Sequence, residues 1–160
     1  MSANDITGLL TQERIACRLP AASKKRAIEA CSNLIATAQR GLLPLDIFNN
    51  FVARERLGST GLGHGVAIPH ARMKNLERAV GAVISLPQGI DFDAIDGQPV
   101  DLLFALLVPE ESRQEHLEIL ANLAEMFQDQ VLLAQLRAAT SSADMQSILV
   151  QRQRMHERLL

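Results

Sequence analysis

The segment GSTGLGHGVAIPHAR, residues 58–72, marks the point where the chain changes from helix to sheet. Its four glycines tolerate backbone angles that other residues avoid, so they predict a pliable loop able to turn its N–H groups toward an anion. The apolar run 66–68 then predicts a short buried strand, and Pro69, with its fixed φ and no N–H, suits the end of that strand. His70 follows directly. A fixed imidazole beside an anion-binding loop indicates phosphoryl chemistry at His70.

The segments before this loop predict an edge strand and two helices. Residues 12–19 alternate weakly between polar and apolar side chains and favour an edge strand. Ser23 is a suitable N-cap for a helix that extends to about residue 39, because apolar residues recur at helical spacing until Gly41. Pro44, a residue favoured in the first helical turn, begins a second helix that we expect to reach Gly58.

The segments after the loop predict a buried sheet and three further helices. Strands are expected at 79–86 and 101–108, and the second is almost continuously apolar, which is typical of a strand buried on both faces. Ser112 and Glu115 form a predicted capping box that opens a helix. The inward residues of that helix are expected to be Leu117, Leu120, Leu123, Ala124 and Phe127. With helices at 129–138 and 142–157, the pattern predicts an α/β fold, a three-layer α/β/α sandwich with a small mixed sheet.

Composition excludes several function classes. The chain has 160 residues, no Trp or Tyr, five Phe and a formal net charge of −2, so it lacks the aromatic platforms and the basic excess of a nucleic-acid-binding protein. Its two cysteines, Cys17 and Cys31, form no CxxC pair, which argues against disulfides and cysteine-rich metal sites. The first residues show no basic segment followed by an apolar one, and no apolar run is near the ~18 residues of a membrane span, so we expect one cytoplasmic domain without a leader or membrane insertion.

The glycine loop leaves two interpretations open, an anion-binding loop or a tight turn between helix and strand. Both nucleotide-binding spacings fail, because no Gly-Lys pair occurs and Val66 and Ile68 stand where GxGxxG would need glycine. No HExxH motif accompanies His64, His70 and His116, so no metal site is predicted. The absence of GxSxG argues against a serine hydrolase. No cofactor is expected.

Two further side chains are candidates for the same site. Arg54, at the end of the second helix, can bind a phosphoryl group bidentately, although the alternative of a merely solvated arginine stays open. His116 lies in the first turn of the capped helix, where the helix N-terminus favours a neutral imidazole and presents N–H groups to anions. Its alternative is a solvent-facing side chain.

Two long motifs carry a resemblance to a known family. The run RERLGSTGLGHGVAIPHAR, residues 54–72, resembles the active-site signature of the fructose/mannitol-type enzyme IIA domains of the bacterial phosphotransferase system. The run FDAIDGQPVDLLFALLVP, residues 92–109, is similar to the same family, and within it to the nitrogen-related enzyme IIA. The resemblance covers residues 5–150, and residues 151–160 are expected to form a helical tail. It implies the same three-layer fold with a mixed sheet.

The resemblance also implies roles for individual residues. His70 would accept a phosphoryl group at Nε2 from an HPr-like carrier protein. Arg54 matches the family's arginine near the phosphoryl group, and His116 matches its second, auxiliary histidine. Ser59 and Thr60 would add hydroxyl or backbone donors for phosphate. His64 departs from the expected pattern of the loop.

Three functions remain open on these grounds. The first is a regulatory phosphocarrier whose targets are proteins such as potassium-transport or stress-response components. The second is a sugar-uptake enzyme IIA that passes phosphate to a fructose- or mannitol-type IIB. The third is a non-catalytic interaction module that keeps the fold. The first is favoured because no fused IIB or IIC portion is present in the chain.

Overall fold

The computed structural model describes residues 6–159. The first residue of the domain expected at 5–150, and the last residue of the expected tail, lie outside that range. The described residues form six strands: β1 (Ile15–Ala16), β2 (Gly61–Gly63), β3 (Val66–Ala67), β4 (His70–Met73), β5 (Val80–Ile90) and β6 (Val100–Pro109). They also form five α-helices: α1 (Lys24–Ile35), α2 (Pro44–Glu55), α3 (Arg113–Met126), α4 (Gln130–Ala138) and α5 (Ser142–Leu159).

The sheet is mixed, as predicted. Its order is β1-β5-β6-β3-β2, and β4 also pairs with β6. Strands β5 and β6 are antiparallel, whereas β3 and β4 run parallel to β6. The described sheet therefore has six strands where the sequence predicted an edge strand and three others, because β2 and β4 are too short to show a strand pattern. Their backbone groups are paired through β3 and β6.

Strand β6 is the centre of a three-layer sandwich, which confirms the predicted architecture. Phe104, Leu106 and Val108 face one core, which is formed with α3, α4 and α5. Leu103 and Leu107 face the opposite core, which is formed with α1 and α2. Because side chains alternate along a strand, one continuously apolar strand supplies both cores.

The ends of the elements agree only in part with the predictions. Ser23 is the N-cap of α1, and its hydroxyl accepts a hydrogen bond from the Arg26 N–H at 3.2 Å. The predicted end of α2 at Gly58 is wrong, because the helix ends at Glu55. Strand β5 does not end at residue 86 as predicted but continues through Pro87 to Ile90. Its pairing with β6 is irregular between Ser85 and Ile90, so the missing N–H of Pro87 leaves no regular ladder bond unmade.

Two predictions for α3 are wrong although the helix itself is present. Ser112 precedes the helix at φ −95° and ψ 55°, away from the extended conformation of a cap, and its side chain makes no capping bond within the described residues. Leu117 is 64% exposed rather than inward. The buried face of the helix instead consists of Ile119, Leu123 and Met126, because the helix is rotated about its axis relative to the predicted stripe.

The first strand and the last helix differ in extent from the predictions. The segment 12–19 contains only the two-residue strand β1, because residues 12–14 form a 3-10 helix. Helix α5 runs unbroken from Ser142 to Leu159, so the expected boundary at residue 150 falls inside it. Within residues 6–159, no helix combines the length and apolar character needed to cross a bilayer.

Candidate active site

His70 is held by its own strand and by a carbonyl just before it. It is the first residue of β4, in parallel register with Leu106 of β6. Its Nδ1 lies 2.6 Å from the carbonyl oxygen of Ile68. Because a carbonyl oxygen can only accept, Nδ1 carries the proton and donates it. The imidazole is therefore fixed as the tautomer whose Nε2 has a free lone pair.

The surroundings of His70 favour the neutral ring. Burial lowers the pKa of His70, and the Arg54 cation lowers it further. The hydrogen bond to Ile68 and the Glu55 carboxylate act in the opposite direction, but the pKa still lies below the usual 6.5. His70 is therefore neutral at pH 7, which is the form that can act as a nucleophile.

His116 lies directly against His70. The two ring centroids are 5.4 Å apart, and the rings meet edge to face at 70°. Burial, followed by the charges of His70, Arg72 and Arg54, lowers the pKa of His116 to about 4. Its Nε2 is buried and has no hydrogen-bond partner among the residues that the structure describes. Such an orphaned nitrogen is a natural contact for a polar group that enters the site.

The two histidines line an open cavity of about 570 Å³. Arg54, Arg72 and Arg113 line the same cavity, and Glu110 contributes a carboxylate. The Arg54 Nη1 donates to the Gly58 carbonyl at 2.8 Å, which holds this side chain at the end of α2. A cavity with three guanidinium groups and neutral imidazoles favours an anion with several oxygens, such as a phosphoryl group.

Ser59 and Thr60 lie outside this cavity. The Ser59 hydroxyl donates to the Phe92 carbonyl at 2.8 Å. Thr60 donates from both its hydroxyl and its backbone N–H to the carboxylate of Glu55. The side chain of Glu55 is only 6% exposed and also pairs with Lys24 at 2.8 Å. Both hydroxyls thus anchor the loop to the protein, and their predicted contact with phosphate stays a prediction.

The glycine segment forms a hairpin of two strands rather than the single tight turn between helix and strand, and the anion-binding alternative stays a prediction. Strands β2 and β3 are antiparallel, and the turn between them has positive φ angles of 57° at His64 and 79° at Gly65. His64 is exposed; its N–H donates to Asp96 at 3.1 Å, and its carbonyl accepts from Arg137 at 2.5 Å. His64 is not among the residues lining the cavity, and its described hydrogen bonds are made by its backbone in the turn.

The structure places His70, His116 and Arg54 on one cavity, and their predicted roles stay predictions. It also adds residues that the sequence did not single out, namely Arg113, Glu110 and Asn50. Helical spacing could have found two of them, because Arg113 precedes His116 by three residues and Asn50 precedes Arg54 by four. Within residues 6–159, no group of His, Cys, Asp and Glu is arranged to hold a metal ion.

Comparisons with known proteins identify the family of the chain. The family model described as "Phosphoenolpyruvate-dependent sugar phosphotransferase system, EIIA 2" matches residues 8–152. A nitrogen regulatory protein of Pseudomonas aeruginosa is 44% identical over 142 residues, which cover 89% of this chain and 92% of that protein. A nitrogen regulatory protein of Escherichia coli K12 is 43% identical over 154 residues, covering 93% of this chain and 94% of that protein.

Solved structures show the same relationship. The nitrogen regulatory protein IIA-Ntr of Neisseria meningitidis is 41% identical, with a TM-score of 0.84 over 90% of this chain and 98% of that chain. The mannitol IIA of Escherichia coli is 22% identical, with a TM-score of 0.74 over 88% of this chain and 98% of that one, which shows a shared fold. The chain therefore belongs to the EIIA 2 family of the phosphoenolpyruvate-dependent sugar phosphotransferase system, and within that family it is similar to the nitrogen regulatory proteins.

Proposed function

We propose that this protein is a phosphocarrier that accepts a phosphoryl group on Nε2 of His70 from an HPr-like carrier protein. In this role it acts as a regulator in the nitrogen-related phosphotransferase system. The observation that carries the proposal is the 2.6 Å hydrogen bond from Nδ1 of His70 to the Ile68 carbonyl. That bond leaves Nε2 as the nucleophilic nitrogen, and His70 lines a cavity with three arginines.

The proposed transfer is an in-line displacement at phosphorus. The lone pair of His70 Nε2 forms the new P–N bond while the P–N bond to the donor's histidine breaks, and the electron pair leaves on the donor's ring nitrogen. Positioning and charge stabilisation are the main requirements of such a step. The Ile68 carbonyl, which still accepts the Nδ1–H bond, stabilises the positive charge that develops on the His70 ring.

His116 has an auxiliary part in this proposal. With a pKa of about 4, its ring is neutral at pH 7. A neutral ring carrying its proton on Nε2 can donate that orphaned N–H to an oxygen of the phosphoryl group. This bond positions the group without offering a competing nucleophile at that nitrogen. We therefore expect His116 to assist transfer and not to carry phosphate.

Intact mass measurement tests the proposal directly. The protein is incubated with phosphoenolpyruvate and the general phosphotransferase proteins, including an HPr-like carrier. Wild type should gain the mass of one phosphoryl group, His70→Ala should gain none, and His116→Ala should gain it more slowly. Equal labelling of wild type and His70→Ala would refute the assignment. A wild-type protein that binds partners but never gains the group would instead be a non-catalytic interaction module.

The regulatory role is proposed from the similarity to nitrogen regulatory proteins. Its targets would be proteins such as potassium-transport or stress-response components, bound differently in the two phosphorylation states. Affinity capture with the phosphorylated protein and with His70→Ala, followed by identification of what each retains, tests this. Identical sets of retained proteins would argue against phosphorylation-dependent regulation.

Sugar uptake is the second candidate. A fructose-specific EIIA component of Haloferax volcanii is 32% identical over 151 residues, which cover 94% of this chain and 98% of that protein. If this candidate is right, the phosphorylated protein passes its phosphoryl group to a purified fructose- or mannitol-type IIB domain. We expect no transfer to the IIB domain within the time that the HPr-like carrier needs to phosphorylate His70. Rapid and complete loss of the group to the IIB domain would favour sugar uptake.

A further inference from the structure

We propose that Arg72 is a second phosphoryl-binding residue, which holds the phosphoryl group on His70 from the side of His116 while Arg54 holds it from the side of α2. This inference rests on the proposed function. It adds a residue that is not part of the three-residue site of His70, His116 and Arg54.

Strand geometry places Arg72 beside His70. The two residues are separated by one position in β4, so their side chains leave the strand on the same face, with Cα atoms about 7 Å apart. Their partners in β6 are Leu106 and Val108, which face the core formed with α3. Ala71, between them, is buried in the opposite core. The sheet therefore directs both side chains toward the layer that carries His116.

The guanidinium of Arg72 is available for a ligand. Arg72 is exposed and lines the cavity. Within residues 6–159, the structure shows neither a hydrogen bond nor an ion pair of the Arg72 side chain, although Glu110 lines the same cavity. Arg54, by contrast, already donates Nη1 to the Gly58 carbonyl. Arg72 thus has the larger number of free N–H groups for phosphoryl oxygens.

The two arginines affect the pKa values of the two histidines unequally. The Arg54 charge lowers the pKa of His70, whereas Arg72 is not among the charges that shift it. For His116, Arg72 lowers the pKa more than Arg54 does. Arg72 approaches the cavity from β4, and Arg54 approaches it from the end of α2. A phosphoryl group on Nε2 of His70 would enter the cavity that both guanidinium groups line.

The negative charge of a phosphoryl group on His70 is large enough to be shared between two cations. The phosphoryl group brings close to two negative charges into a partly buried cavity. One guanidinium that is already committed to Gly58 compensates only part of this charge, and a second planar guanidinium can bond two of the remaining oxygens. Hydrogen bonds to charged groups change equilibria by about tenfold or more, and the exposure of Arg72 places it at the lower end of that range.

Three variants test the inference. Arg72→Gln removes the charge, Arg72→Lys keeps the charge without the planar fork, and Arg56→Gln is a matched control. Arg56 is an exposed arginine at the end of α2 that is not among the residues lining the cavity. Each protein is equilibrated with fixed amounts of phosphorylated and free HPr-like carrier, and the phosphorylated fraction is measured by intact mass. The pH titration of the bound phosphoryl group is followed by phosphorus NMR.

We expect Arg72→Gln to lower the transfer equilibrium constant by about tenfold, Arg72→Lys to be intermediate, and Arg56→Gln to match wild type. The pKa of the phosphoryl group should also rise in Arg72→Gln, because a nearby cation favours the dianion. This second readout would not change if Arg72 were merely structural. If Arg72→Gln does not fold, the transfer equilibrium constant and the phosphorus titration of Arg72→Lys are compared with those of wild type instead.

An equilibrium constant and a phosphorus titration in Arg72→Gln equal to those of Arg56→Gln would overturn the inference while leaving His70 as the acceptor. Failure of wild type to accept a phosphoryl group would instead overturn the proposed function itself. The two failures are therefore distinguishable in one set of measurements.

Discussion

Substitution of Gly65 by alanine tests how the hairpin is attached to the rest of the protein. Gly65 has a φ of +79°, in the left-handed region. A Cβ at this position would collide with the guanidinium of Arg137 and would lie 3.0 Å from Oδ1 of Asp101. Arg137 bonds both Asp101, at 3.0 Å, and the His64 carbonyl, at 2.5 Å. To admit the methyl group, Arg137 must give up part of this arrangement.

Gly97 offers a matched control. Its φ is +69°, but a Cβ there would meet no atom within 4 Å. Both alanine variants therefore incur the left-handed penalty of about 1–2 kcal/mol. Gly65→Ala additionally loses the hydrogen bond to His64, which contributes about 1 kcal/mol. The ion pair with Asp101 is about a third exposed, so it adds roughly 0.2–1 kcal/mol. The expected excess of Gly65→Ala over Gly97→Ala is about 1–2 kcal/mol.

Urea unfolding at pH 7 measures this excess as a difference in midpoint at constant slope. The same pair of substitutions is then repeated in an Arg137→Ala background, where the excess should disappear because the colliding side chain is gone. Equal midpoints for Gly65→Ala and Gly97→Ala in the wild-type background would refute the reasoning. An excess that persists without Arg137 would assign the cost to Asp101 instead.

Two further predictions concern the site and its loop. Because the pKa of His116 is about 4 in the folded protein and near 6.5 in the unfolded chain, the unfolded chain binds the proton first, and stability should fall as pH drops from 6.5 to 4. In His116→Asn, the urea midpoint should fall less steeply between pH 6.5 and 4 than it does in wild type. An equal fall in both proteins would contradict the lowered pKa of this ring. Thr60→Val should lower the free energy of unfolding by about 1 kcal/mol through the lost bond to Glu55, with phosphoryl acceptance unchanged. A loss of acceptance without a loss of stability would support the predicted phosphate contact of Thr60.

The elements that the sequence predicted well are those with a strong local signal. Helix α1 starts where Ser23 can cap it, and α2 starts at Pro44, because both signals act within one turn. Strand β6 is recognisable because seven of its residues are apolar in succession and need burial on both faces. The ends of elements were less predictable. Helix α2 stops before Gly58, and Ser112 does not cap α3, since backbone angles there depend on neighbours distant in sequence.

For the site, the sequence by itself singled out His70 and predicted phosphoryl chemistry there. The glycines, Pro69 and His70 place an imidazole at the start of a short strand, and the resemblance to a family adds Arg54 and His116. Only the tertiary structure decided which side chains meet. Pairing of β4 with β6 turns His70 and Arg72 to one face, and the packing of α2 and α3 from opposite layers brings Arg54 and His116 to them. The same packing places Ser59 and Thr60 outside the cavity, where they donate hydrogen bonds to Phe92 and Glu55. Local spacing cannot specify such contacts, because they depend on strand register and helix rotation, which are determined by burial across the whole sheet.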